Sequence, residues 1–153
     1  MRLLLDTNAI IKLCHPLEHQ EVKKWLQAWL TQALETGDHE IIISAAADYE
    51  ARRGYLWKLE KHPDEPKALA RLDQLCELLR VYPISQDVLR DAARFWSNAR
   101  KGGYSTAPER NFDWDVLVAA QAKALSAVAV TSNSRHISRY GVDARDWDKI
   151  PPP

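Results

Sequence analysis

Four short runs of apolar residues along the chain have the length and the residue types of β-strands. Most of them are apolar at consecutive positions rather than alternate ones, a pattern typical of strands buried on both faces in a helix-covered parallel sheet. Pro83 lies inside the third run and indicates an edge strand, because proline cannot donate a hydrogen bond to a neighbouring strand. A fifth short strand is predicted near Trp147–Ile150. The four runs are Leu3–Leu5, Ile41–Ser44, Val81–Ile84 and Ala127–Thr131.

The segments between these runs have apolar residues at helical spacing. The second segment carries Trp25 and Trp29 on one stripe and is followed by Gly37, a residue typical of helix ends. Strands that alternate with helices predict an α/β fold with a mainly parallel sheet. The polar stretch 99–113 is expected to be a surface loop. The predicted helices are Thr7–Cys14, Glu18–Leu34, Ala45–Leu59, Ala68–Leu79, Gln86–Ala99 and Trp114–Leu125.

Length and composition indicate one compact domain. The chain has 153 residues, of which 46% are hydrophobic and 27% charged, enough to form a core without disulfides or a structural metal. We therefore predict a single domain over residues 1–150 and an extended proline tail at 151–153. Cys14 and Cys76 lie far apart in the sequence and form no CxxC pair, so both thiols are expected to be reduced and packed.

Charge and hydropathy narrow the classes of partner. The 21 basic and 21 acidic residues balance, so no overall positive charge points to nucleic acid, and such binding requires a local site. No apolar stretch approaches the roughly 20 residues that span a bilayer. The three leucines before Asp6 are too few for the core of a signal peptide. We therefore expect a cytoplasmic protein that does not enter a membrane.

Polar residues follow the predicted strands at the edge where open parallel sheets bind their ligands, outside the carboxyl ends of the strands. Asp6 ends the first strand and is followed by Thr7 and Asn8. Thr131 and Asn133 occupy the corresponding place after the fourth strand. These side chains are therefore expected to lie close together.

Two pairs of acids on helices adjoin the same edge. Asp48 and Glu50 point about 200° apart on a helix with 3.6 residues per turn, so they cannot serve one site equally. Asp113 stands where a helix N-cap belongs, whereas Asp115 heads an apolar helix and is expected to face the strand ends. Spacing alone leaves both members of each pair open.

Carboxylates that converge without an equal number of bases repel one another, so one or more must bind a proton or a cation. Mg²⁺ is a suitable cation, because it binds oxygen ligands and needs few carboxylates besides waters and substrate phosphates. A strand that ends at Asp6 would present a rigid carboxylate to such an ion. The chemistry predicted from this arrangement is phosphodiester hydrolysis by a metal-activated water.

Four segments, in this order and spacing, resemble the PIN domain family, and within it the VapC-type toxin ribonucleases of bacterial toxin–antitoxin pairs. The segments are "LLLDTNAII", "IIISAAADYEARRG", "DVLVAAQAKAL" and "AVAVTSNSRHI", and the resemblance extends over the whole chain. It implies a three-layer α/β/α fold with a mainly parallel sheet of four to five strands. It also implies a Mg²⁺- or Mn²⁺-dependent endoribonuclease.

The resemblance further implies roles for individual residues. Asp6 and Asp115 would bind the metal directly, and Glu50 would bind it through a water that Glu50 orients or deprotonates. Asp115 is preferred to Asp113 because the matching acid of the family directly precedes the segment "VLVAA". The residues that would support these acids are Thr7, Asn8, Thr131 and Asn133.

One departure from the family pattern concerns the metal. Many members carry a further acid in or just after the T-x-N segment, whereas "TSNSRHI" has none, so the number of metals stays open between one and two. This departure supports a non-catalytic PIN-like binding module as one alternative. Another is a phosphatase with Asp6 as nucleophile, although Asn8 then stands where such enzymes place a second acid.

The resemblance implies an RNA substrate, a small antitoxin protein as partner, and a homodimer. Apolar surface for a protein partner is expected among Trp25, Trp29 and Trp57, of which at least two should be packed in the core. His136 is interpreted as a surface residue in preference to a general acid. Basic residues that could contact an RNA backbone, each with a solvated surface role as the alternative, are Arg52, Arg53, Arg100, Lys101 and Arg110.

Overall fold

The computed structural model describes residues 1–61, 67–103 and 109–152, without the side chains of residues 109–113. The strands in these ranges are β1 (Arg2–Leu5), β2 (Glu40–Ser44), β3 (Arg80–Tyr82), β4 (Val128–Val130) and β5 (Ala144–Arg145). They form one sheet in the order β3-β2-β1-β4-β5. Every described pair of neighbouring strands is parallel.

Helices connect the strands and cover both faces of the sheet. Parallel strands need such crossover connections, which usually contain a helix. Gly37 ends the second helix in the left-handed conformation and donates its N–H to the carbonyl of Ala33. The helices are α1 (Thr7–Cys14), α2 (Gln20–Thr36), α3 (Ala45–Lys61), α4 (Lys67–Leu78), α5 (Gln86–Lys101), α6 (Glu109–Leu125) and α7 (Ser134–Ser138), with a 3₁₀ helix at Trp147–Lys149.

The two faces of the sheet bury alternate residues of the central strands. Leu3 and Leu5 pack with α1 and α2, including Trp25 and Trp29. Leu4 points to the opposite face and packs with α6 and α7. Because successive side chains of a strand point to opposite faces, both of which are covered here, consecutive apolar residues are the expected sequence pattern. The predicted three-layer α/β/α fold is therefore confirmed.

Strand β1 lies at the centre of the sheet, between β2 and β4. The chain passes from β1 to β2 and β3 on one side and then returns to place β4 and β5 on the other. The backbone N–H of Asp6 donates to the carbonyl of Val130 at 3.1 Å, just past the last paired residues of β1 and β4. Asp6 thus lies where the strand order reverses, the place at which open α/β sheets bind ligands.

Four of the predicted strands are confirmed to within a few residues. β3 lies at the edge of the sheet, as Pro83 indicated, and Pro83 itself follows the strand. Trp25 and Trp29 are buried in the core whereas Trp57 is 59% exposed, so the prediction that at least two of the three are packed is also confirmed. Within the described ranges, no helix is both long and apolar enough to cross a membrane.

The predicted fifth strand at Trp147–Ile150 is wrong. Asp146 accepts a hydrogen bond from the N–H of Trp147 and caps the 3₁₀ helix there, while β5 is the two-residue segment just before it. A two-residue edge strand that contains Arg145 has no hydrophobic periodicity to reveal it. The five-residue helix α7 was not predicted for the same reason.

The predicted loop at 99–113 is also wrong over most of its length, because α5 continues to Lys101 and α6 already begins at Glu109. Asp113 therefore lies at the fifth position of α6 and is not its N-cap, as the spacing had suggested. Residues 62–66, residues 104–108 and Pro153 lie outside the described residues.

Candidate active site

Asp6 is the buried centre of the candidate site, with 6% of its surface exposed. It ends β1 in an extended conformation and caps α1, since its Oδ1 accepts a hydrogen bond from the N–H of Thr7 at 2.7 Å. Its Oδ2 accepts from the hydroxyl of Thr131 at 2.7 Å and from the amide of Asn8 at 3.2 Å. Both oxygens of the carboxylate are therefore held in a fixed orientation.

Thr131 links the two strand ends that meet at this edge of the sheet. Its hydroxyl donates to Asp6 and accepts from the Asn8 amide at 3.1 Å and from the backbone N–H of Asn133 at 2.9 Å. Asn8 also accepts the backbone N–H of Ser132 at 2.9 Å. The residues named from sequence as supporting the first acid thus form one hydrogen-bonded network around it.

Glu50 reaches the same edge from α3. Its Oε2 accepts the hydroxyl of Thr7 at 2.6 Å, and its Oε1 lies 3.9 Å from Nη2 of Arg53. Asp48, the alternative to Glu50, points elsewhere and pairs with Arg52 at 2.9 Å. The roughly 200° between the two side chains therefore separates them as predicted, and only Glu50 lies beside Asp6.

Asp115 reaches the site from α6. Its Oδ2 accepts the side-chain amide of Asn133 at 3.0 Å and lies 4.0 Å from Nδ1 of His136. His136 thus lies nearer to the site than expected for an ordinary surface residue, although its side chain is 43% exposed. The side chain of Asp113, the alternative acid, lies outside the described residues.

The three acids influence one another electrostatically. Burial, together with the negative charges of Asp6 and Glu50, raises the pKa of Asp115 to about 7, against the hydrogen bond from Asn133. Burial also raises the pKa of Asp6 above its ordinary value of 3.8, although hydrogen bonds from Thr131 and Thr7 oppose the shift. In the described part of the chain, neither aspartate forms an ion pair with a lysine or arginine.

These donors suit a hard divalent cation that needs few protein ligands. No three acidic, histidine or cysteine side chains among the described residues are already arranged to hold an ion. Mg²⁺ requires fewer, because it usually takes one or two carboxylates and keeps several waters. Asp6 and Asp115 supply two carboxylates whose mutual repulsion a cation would relieve. The residues present therefore fit such an ion.

Two aromatic residues and an arginine beside the acids were not identified as a unit from the sequence. Tyr49 directly precedes Glu50, and Trp114 directly precedes Asp115. Their rings stack with centroids 5.1 Å apart, and the Arg53 guanidinium lies over both. The available signal was the repeated aromatic-acid dipeptide, "YE" and "WD", at two of the three candidate acids.

The raised pKa of Asp115 predicts how the stability of the metal-free protein depends on pH. The folded state holds a proton on Asp115 up to pH about 7, whereas the unfolded chain releases it near 3.8. The folded state therefore binds more protons between these values, and stability falls as pH rises through this window. Because Asp115 is partly exposed, the expected loss of stability across this window is about 1–2 kcal/mol.

Asp115→Asn should remove that part of the pH dependence and make the EDTA-treated protein more stable than wild type above pH about 7, by about 1–2 kcal/mol. Urea unfolding of both proteins over a pH series measures it. Parallel stability curves for the two proteins would show that Asp115 is not the group responsible.

Comparison with known proteins agrees with the fold. The model of the PIN domain family matches residues 3–142. No curated protein sequence matches the chain.

Solved structures resemble the chain over nearly its whole length. FitAcB from Neisseria gonorrhoeae shares 24% identity with a TM-score of 0.73, over 97% of this chain and 99% of that one. VapBC-1 from nontypeable Haemophilus influenzae shares 20% identity with a TM-score of 0.71, over 97% of this chain and 99% of that one. VapBC2 from Rickettsia felis, bound to a DNA fragment from its promoter, shares 20% identity with a TM-score of 0.70, over 97% of this chain and 100% of that one. At these identities the likeness shows the fold.

Proposed function

Because this chain belongs to the PIN domain family, we propose that it is a metal-dependent endoribonuclease and the toxin of a toxin–antitoxin pair. The observation that carries the proposal is the convergence of Asp6, Glu50 and Asp115, from β1, α3 and α6, at the carboxyl end of the central strand. Burial, together with the negative charges of Asp6 and Glu50, raises the pKa of Asp115 to about 7. A polar site of this kind suits an ion and a phosphate better than an apolar ligand.

In this proposal Asp6 and Asp115 hold Mg²⁺ or Mn²⁺, and Glu50 acts through water. When bound, the ion supplies an activated water and neutralises charge that develops on the phosphate oxygens. The chain's own residues fix the acids in place. Thr131 and Asn8 orient Asp6, Thr7 orients Glu50, and Asn133 orients Asp115.

Glu50 is the candidate base for the attacking water. Thr7 holds one of its oxygens, and the other oxygen faces Arg53 at 3.9 Å. Hydrolysis would form a bond between the water oxygen and phosphorus, break a bridging P–O bond, and transfer the water proton to Glu50. Thr131 is 1% exposed and its hydroxyl is committed to Asp6, so we assign it to positioning rather than to contact with RNA.

The alternative phosphatase reaction is disfavoured by Asn8. An Asp nucleophile needs an acid close by to protonate the leaving group, and Asn8 stands at that position. Both ends of its amide are engaged, with Thr131 and with the N–H of Ser132. Asn8 therefore supports the geometry of Asp6 and offers no proton.

A groove between α1, α3 and α4 supports the proposed antitoxin partner. It has a volume of about 610 Å³ and is lined by residues of α1, α3 and α4, including Tyr55. Leu17 on its rim is 82% exposed and Ile11 is 44% exposed. An apolar segment of a small protein would bury these side chains. A homodimer and a cytoplasmic location are further parts of the proposal.

The proposal is tested by incubating a pool of structured RNAs with the protein in Mg²⁺, in Mn²⁺ and in EDTA. We expect cleavage with either metal, no cleavage in EDTA, and loss of cleavage in Asp115→Asn. Wild-type protein that is folded and free of antitoxin, yet cuts no RNA under any condition, would instead support a non-catalytic binding module. Stabilisation of the protein by metal then distinguishes a metal-binding module from one that binds none.

A further inference from the structure

Beside the acids lies an exposed aromatic stack, formed by Tyr49 on α3 and Trp114 on α6. The ring centroids are 5.1 Å apart and the ring planes are inclined by 30°. Tyr49 is 55% exposed, while Trp114 is half-buried and packs against the core beneath the site. The stack thus has a fixed inner ring and an outer ring that faces solvent.

Arg53 joins this stack to the acidic site. Its guanidinium carbon lies 5.8 Å from the centroid of Tyr49 and 5.2 Å from the centroid of Trp114. The same guanidinium lies 3.9 Å from Glu50. A single side chain therefore contacts both the aromatic pair and the candidate base, which places the stack directly beside the reacting groups.

We propose that Tyr49, Trp114 and Arg53 form a platform on which one unpaired base of the RNA stacks next to the phosphate that is cut. The inference rests on the proposed ribonuclease function. It adds the residues that decide whether the RNA bound at the cleavage point is unpaired or paired. Aromatic rings bind nucleobases by stacking, with little preference for sequence, and arginine adds a cation–π contribution. The platform therefore selects unpaired RNA at the cleavage point, because a paired base is not free to stack on a protein ring.

The arrangement favours a base over other occupants. Three carboxylates lie close by, so an acidic segment of a protein would be repelled. A nucleotide would place its base on the rings while its phosphate reached the cation between the acids. Arg53 supplies a positive charge for the adjoining phosphates.

The experiment uses the Asp6→Asn protein, which is expected to bind RNA without cutting it, with Mg²⁺ present. Two labelled probes are compared by fluorescence anisotropy: an oligoadenylate of about ten nucleotides and a ribose-phosphate chain of equal length without bases. Adding Tyr49→Ala should weaken binding of the oligoadenylate about tenfold and leave binding of the abasic chain unchanged. In protein with intact Asp6, Tyr49→Ala should raise KM for RNA with little change in kcat.

Two variants serve as controls. Tyr49→Phe keeps the ring and should bind both probes like the parent protein. Trp57 is also on α3, is 59% exposed and lies 4.7 Å from the Lys61 ammonium, but has no described aromatic partner. Trp57→Ala should leave both affinities unchanged. Since Tyr49 is largely exposed, its replacement should leave the unfolding temperature near that of the parent.

Each contrary result has a defined meaning. Suppose that wild type cuts RNA and that the Asp6→Asn protein binds the probes. If adding Tyr49→Ala then leaves binding of both probes unchanged, the platform is absent, while the proposed nuclease function is unaffected. Equal weakening of both probes, or an equal loss in Trp57→Ala, would likewise overturn the platform. If wild type cuts no RNA and the Asp6→Asn protein binds neither probe, the proposed function fails, and the platform with it.

Discussion

Asp6→Asn is expected to reduce metal-dependent RNA cleavage more than about a hundredfold, the largest functional loss among the substitutions considered. Asparagine has nearly the same shape, and its oxygen can still accept the Thr7 N–H that Asp6 now accepts at 2.7 Å. The amide has no charge, however, and its NH₂ group would face the Asn8 amide, which is itself a donor. The change therefore removes the proposed metal ligand, and the nearly identical shape of the side chain should keep the fold.

The matched control for this experiment is Asp48→Asn. Asp48 is an acid of the same type near the same edge, with a side chain 22% exposed, but it pairs with Arg52 rather than facing Asp6. Arg52 also binds Asp73 at 2.6 Å, so it keeps a partner when Asp48 is neutralised. Cleavage of a labelled RNA over time, with Mg²⁺ or Mn²⁺, should be near wild-type for this variant. Full activity in Asp6→Asn would contradict the assignment of Asp6 to the active site.

Thr131→Val is expected to lower the free energy of unfolding by about 3 kcal/mol, the largest effect on stability. The Thr131 side chain is almost fully buried and takes part in three hydrogen bonds, with Asp6, with Asn8 and with the N–H of Asn133. Valine has the same shape but leaves these groups without that partner. Burying unsatisfied polar groups costs about 1–3 kcal/mol each, and some of them will find other partners.

Urea unfolding measures this loss, and Thr131→Ser is the control, because serine keeps the hydroxyl and loses only a methyl group. Cleavage should fall in the valine variant as well, because Asp6 and Asn133 lose the hydroxyl that fixes their relative positions. If the valine variant is as stable as wild type, the hydroxyl network contributes nothing measurable to stability.

The sequence predicted the central sheet well because both of its faces are buried. Leu3, Leu4 and Leu5 are fully buried, and continuous burial leaves a continuous apolar run in the sequence. At the margins of the fold this signal disappears. β5 has two residues, one of them Arg145, and contacts the rest of the sheet along one edge only. Neither its length nor its polarity distinguishes it from a loop.

The candidate site was predictable for a different reason, namely that the ends of adjacent parallel strands meet. Asp6 and Thr131 follow strands that pair side by side, so their polar residues had to lie close together. Glu50 was separated from Asp48 by helix geometry alone. The aromatic platform was not predictable in this way. Tyr49 and Trp114 lie on different helices, and the packing of α3 against α6 decides whether their rings meet.

The central position of β1 has a consequence for when the candidate site forms during synthesis of the chain. Asp6 leaves the ribosome well before its partner Thr131, which lies 125 residues later in the chain. A growing chain that has reached α3 carries Asp6 and Glu50 but lacks Asp115, Thr131 and the strand β4 on which the geometry of Asp6 depends. Contacts over such distances form late, when the intervening chain has folded. The candidate site is therefore completed only after β4 docks beside β1.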